Sequence, residues 1–213
     1  MRPPALDLVS PPTLAPALLS ALLIVAAPML AAAQEDPDWP CAQRKVAHLS
    51  WGQMWSGPPL PDDGGWRDDP VIGPLSSRLA ARRTSIEDAP ALIDAAGLSG
   101  ADDHATLFAG AFELIDKERA RLVEGIGRFA RKQQDRAARV DAIRVEINEM
   151  RASTAPDDFD GLDRLEARED ELAWETRIYQ DRRRSLEFVC ESPVTLEKRA
   201  FALARMIQER LPE

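Results

Sequence analysis

Histidine, cysteine and tyrosine are scarce in this chain, at two, two and one among 213 residues. A histidine-based hydrolytic triad would have to gather a nucleophile and a carboxylate around His48 or His104, and neither lies in a setting such as Gly-x-Ser-x-Gly. Gly-x-Gly and phosphate-loop patterns are missing, and so is any Cys-x-x-Cys. Those absences remove the usual marks of nucleotide binding and dithiol chemistry. Cations are outnumbered, with 27 Lys and Arg against 36 Asp and Glu, for a formal charge of −9. Phosphate binding needs clustered Lys and Arg that release counterions, so nucleic acid is not an expected partner. Arg182-Arg183-Arg184 is the one compact basic run, and it reads as a solvated helix face among compensating acids. The sequence therefore points to a non-enzymatic protein with no catalytic residue and no cofactor.

What is present begins with an apolar leader. Residues 1–33 read as a secretory signal peptide: Arg2 is the early positive charge, an apolar run extends from Leu14 to Ala27, and Ala31-Ala32-Ala33 forms a small-residue exit. The stretch is nearly long enough to serve instead as an uncleaved anchor, but Pro16, Pro28 and the Ala-x-Ala ending favour cleavage. The expected location is the periplasm, with no stable membrane insertion after cleavage. In such an oxidising compartment the isolated pair Cys41 and Cys190 is most simply a disulfide.

Three zones follow the leader. Residues 34–74 are dense in Pro, Gly, Asp and Trp and predict an extended arm, because proline removes donors and fixes φ. Four of the five tryptophans lie there, and a disordered linker would not carry so much aromatic surface. The arm is expected to wrap its own helical body, with Trp51, Trp55 and Trp66 as candidates for a docking strip. Residues 75–213 predict a helical domain. It opens with one or two short helices up to about Ala96, in which Ser85 reads as an N-cap and Gly97 as a stop.

The strongest signal lies between about 118 and 190. Leu122, Ile126, Phe129, Gln133, Arg136, Val140, Ile143, Ile147 and Met150 follow one another at alternating steps of four and three. Leu162, Leu165, Glu169, Leu172, Thr176, Tyr179, Arg183, Leu186 and Cys190 do the same. Each is a coiled-coil seam, and the two are mirror images about residue 156, as an antiparallel hairpin demands. The polar middle layers, Gln133 with Tyr179 and Arg136 with Thr176, read as register-setting or partly solvated. The fold class is thus mainly α: an antiparallel coiled-coil hairpin on a small helical base, with an extended Pro/Trp-rich N-terminal arm. The turn is expected at residues 152–158, with Asp157 or Asp158 capping the second helix near Phe159. A third helix is expected from about Pro193, with proline at its first position and Ser192 or Thr195 as its cap.

Two metal readings can be weighed on these residues. Asp158-Phe159-Asp160-Gly161 resembles part of a calcium loop, but that pattern would place Pro156 and Ala167 at essential ligand positions, which leaves helix capping. Cys41, His48 and Met54 are soft-metal ligand types and supply an alternative function, copper binding or delivery. The main expectation is a scaffold- or adaptor-like protein that binds another envelope protein, with self-association also compatible. On the outer face of the second helix, Trp174, Ile178 and Phe188 form an apolar strip. Phe188 is expected to meet the third helix, while Trp174 lies beyond the reach of a short base, so it is either covered by the Trp-rich arm or offered to a partner, and it is the first partner-binding candidate.

Overall fold

The computed structural model describes Asp36 and residues 38–212. The proposed signal peptide lies outside the described residues. Four α-helices follow one another after two short 3-10 turns: α1 (Ile72–Ala80), α2 (Ala89–Ala95), α3 (Ala101–Ser153) and α4 (Phe159–Gln208). The 3-10 turns span Trp51–Gln53 and Gly65–Arg67. No strand occurs among the described residues.

The long helices form the expected hairpin. Between them lies the short turn after Ser153, and Asp158 closes it: its Oδ1 accepts from the Gly161 amide at 2.9 Å, satisfying an orphan donor of α4. The Asp-Phe-Asp-Gly stretch thus acts as a cap. The seam positions of α3 are all sheltered, with Ile126, Val140, Ile143 and Ile147 fully buried. On α4 the seam is looser, and Leu162 near the turn is 39% exposed. Register follows the predicted mirror, since Gln133 Nε2 donates to the Tyr179 carbonyl at 3.3 Å. Ion pairs between the two helices run from the polar middle toward the turn. Arg136 pairs with Glu175, Arg139 with Glu171 at 2.9 Å, Arg168 with Glu146, and Arg151 with Glu169 at 2.6 Å. Arg139 and then Arg168 hold the Glu171 carboxyl below its ordinary range. The pairs with an open member are each worth roughly 0–1 kcal/mol, so apart from the sheltered Arg136–Glu175 pair they fix register more than they add stability.

The expected third helix is instead the last part of α4, which runs unbroken through Pro193. Proline there removes one backbone bond and crowds the preceding turn. The surroundings hold this turn in place. Pro193 is buried, and Gln43 from the arm donates its side-chain amide to the Cys190 carbonyl, in the turn that proline disturbs. Ser192 and Thr195 are not caps: their hydroxyls donate back to the Phe188 and Glu191 carbonyls at 3.4 and 3.1 Å.

The base of the molecule holds the main core. Leu107, Phe108 and Ile115 of α3 pack with Leu196, Leu203 and Ile207 of α4, and α1 and α2 close the cluster through Leu79 and Ile93. α1 starts at Ile72, before the expected boundary at 74, and Asp69 supplies its first-turn acceptor: Oδ1 receives the Val71 and Ile72 amides at 2.8 and 2.7 Å. Those two bonds hold the Asp69 carboxyl below its usual range. Ser85 Oγ accepts from the Glu87 amide at 3.2 Å, although α2 itself begins only at Ala89. Gly97 stops the run at φ +65°, the left-handed conformation glycine adopts without penalty.

Gly110 on α3 is a close-packing position of a different kind. A Cβ built there would meet Ser76 Oγ at 2.5 Å and Trp66 Cδ2 at 2.8 Å. Gly110→Ala should therefore destabilise the fold, by about 1–3 kcal/mol of overpacking less the gain in helix propensity. Urea unfolding would measure it, and an increase in midpoint would refute the close approach.

Candidate interaction surface

The arm lies along the helices instead of standing free. Starting from its N-terminal end, Asp38 pairs with Arg131 at 3.0 Å, and Cys41 meets Cys190 at disulfide distance, with S–S 2.00 Å and Cα–Cα 5.6 Å. Arg119, buried in α3, then clasps the chain by donating to the Val46 carbonyl and to that of Ala47 at 3.3 Å, while reaching Glu197 of α4 at 3.4 Å. Asp116 receives the Leu49 amide at 2.7 Å on one oxygen and faces His48 Nδ1 at 2.7 Å with the other. Farther on, Ser56 binds Gln208 at the end of α4, and Trp66 Nε1 donates to Glu113 at 3.0 Å. Backbone groups of an extended segment with few partners of its own are satisfied in this way by long side chains from both helices.

The arm's tryptophans therefore divide. Trp55 is 6% exposed and stacks on Phe108 with centroids 4.6 Å apart; its indole donates to the Pro58 carbonyl at 2.7 Å. Trp66 is equally buried, with Arg67 over its ring at 4.6 Å. Neither can serve as a docking ring: both belong to the core. Trp51 remains 46% exposed and Trp174 62% exposed. Those two cannot share one patch. Trp51 adjoins Met54, whose carbonyl accepts from Gln208, and Gln208 lies 34 positions beyond Trp174 on one helix, roughly 50 Å away.

Phe188 corrects a further expectation. It is 74% exposed, because α4 continues through Pro193 and no separate helix among the described residues folds back over it. The outer face of α4 thus presents Trp174 and Phe188, two heptads apart on the same side, with the half-buried Ile178 beside Trp174. Near the turn, Phe159 and Val145 add further open apolar surface at 75% and 56% exposure.

Cys41, His48 and Met54 are not brought together. Cys41 is fixed at Cys190 and Met54 at Gln208, 18 residues or roughly 27 Å apart along α4. His48 is held on α3 by Asp116, and no three His, Cys, Asp or Glu side chains among the described residues are grouped as a metal ion would need. The His48–Asp116 pair has the geometry by which a carboxylate orients an imidazole. Its other ring nitrogen carries no hydroxyl or thiol partner among the described residues, and the His48 side chain is 71% exposed. His104 is buried, with Nδ1 at 2.8 Å from the Gly100 carbonyl in the first turn of α3. No helix among the described residues is long and apolar enough to cross a membrane.

No protein-family model, curated protein or solved structure matches the chain.

Proposed function

We propose that this is an exported, non-enzymatic protein of the cell envelope that binds another protein through the outer face of its hairpin. The observation that carries the reading is the pair Trp174 and Phe188, left 62% and 74% exposed on a long projecting helix. Large rings cost about 25 cal/mol per Å² of apolar surface kept in water, and solitary tryptophans of this kind are enriched where partners dock. Trp51 offers a second, separate contact at the base. The periplasmic location follows from the leader, and a cysteine pair at disulfide distance is compatible with that compartment.

The test is site-specific photo-crosslinking in the native cells, with the probe at 174, at 188 and at the exposed Ala142 of α3 as a control. One discrete adduct from 174 and 188, absent at 142 and lost in the 188 probe strain on adding Trp174→Ser, is the expected result. Equal labelling at all three positions, or none at 174 and 188, would sink the proposal.

A further inference from the structure

A groove of about 500 Å³ opens at the base, between the segment joining α1 to α2 and the last part of α4. Three cations border it, Arg82, Lys198 and Arg199, in a chain whose net charge is −9. Neither Arg82 nor Lys198 has an ion-pair partner within 4.0 Å among the described residues. Arg199 is the anchor. Its Nε donates at 2.6 Å to the Leu79 carbonyl in the last turn of α1, which fixes the guanidinium, yet its Nη2 is buried without an acceptor. Glu87 is the carboxylate facing it, close enough to act through space but not paired with it, and bonded instead to Ser85. Desolvation lowers the Arg199 pKa from its ordinary value, the mark of a cation short of compensation.

The remainder of the wall is of another character. Ile86, Leu196 and Ala202 line it with the side chains of Thr84 and Thr195. Small-molecule sites are typically of this size, largely apolar, with a few fixed polar groups at one end.

We infer that this groove binds a small aliphatic carboxylate, its headgroup between Arg199, Lys198 and Arg82 and its chain over Ile86, Leu196 and Ala202. A carboxylate presents two acceptor oxygens to a guanidinium that has been positioned but left one acceptor short. A hydrated phosphate would find the cations but would lose water against the apolar wall.

Octanoate is the probe, followed on the mature protein by amide shifts in NMR, with octanol and inorganic phosphate as comparisons. Octanoate should shift Thr84, Ile86 and Leu196 with a Kd of about 1 mM or tighter, as suits a ligand of about ten heavy atoms. Octanol should bind about tenfold more weakly, and Lys198→Gln and Arg199→Gln should each weaken octanoate at least about fivefold. Lys198 is exposed and off the core, so its variant keeps the test valid if Arg199→Gln disturbs the α1 end. Equal binding of octanol, tighter binding of phosphate, or octanoate shifts confined to other residues would each overturn the inference.

Discussion

Cys190→Ser should lower the unfolding free energy by about 4–5 kcal/mol, the chain-entropy value for a cross-link enclosing a loop of this length. The two half-cystines are 149 positions apart, so the bridge constrains nearly the whole described chain when it unfolds. It also bears on one locality. Cys41 sits between Asp38, which pairs with Arg131, and Gln43, which bonds the Cys190 carbonyl beside Pro193. Without the bridge, those contacts must hold the start of the arm alone. Denaturant unfolding of the oxidised protein against the serine variant measures the loss. Mass spectrometry without reductant should find the wild type lighter by two hydrogens than its reduced form. An unchanged midpoint in the variant would show that the cysteines do not cross-link the folded chain in solution.

Phe108→Ala should be nearly as damaging, at about 3–5 kcal/mol. Phe108 is fully buried where α3 enters the base, with Trp55 stacked on one side and Phe112 tilted against it at 5.8 Å. Truncation opens a cavity that a rigid two-ring stack cannot refill, and it frees the indole that ties residues 51–58 to the core. Tryptophan emission should shift to the red before global unfolding, because Trp55 would lose its apolar cover while Trp51 and Trp174 are already exposed. A loss under about 1 kcal/mol would mean that the ring pair is not a central part of the core.

The hairpin and its register were legible because a heptad repeat is a geometric statement: two seams that mirror each other leave one way to fold. The turn and its Asp158 cap were legible for the same local reasons. Pro193 misled because its role as a helix starter is a local preference, and tertiary packing overrode it. A signal was available in the spacing, since Cys190, Pro193, Leu196, Ala200, Leu203 and Ile207 keep to helical steps of three or four, with one extra step of three at Pro193, and all are buried. The fate of each tryptophan was not legible. Trp51 and Trp55 are four residues apart in similar company, and what separates them is the position of Phe108, more than fifty residues away in sequence. The clasp at Arg119 escaped notice for the complementary reason: nothing in its own neighbourhood marks an arginine whose partners are carbonyls of a distant segment. The pocket around Arg199 likewise combines segments that a linear reading keeps apart.

Because α3 and α4 each pass without interruption from the base to the turn, the molecule contains its own ruler. Both helices are continuous, α4 through Pro193 included, so the distance from the Phe108 core to the tip follows residue count at about 1.5 Å per position. Removing one heptad from each arm would bring the tip about 10 Å closer while keeping the seam in phase. The turn therefore stands at a fixed reach from the base, and under the proposed function the length of the two helices would itself select where a partner can be met.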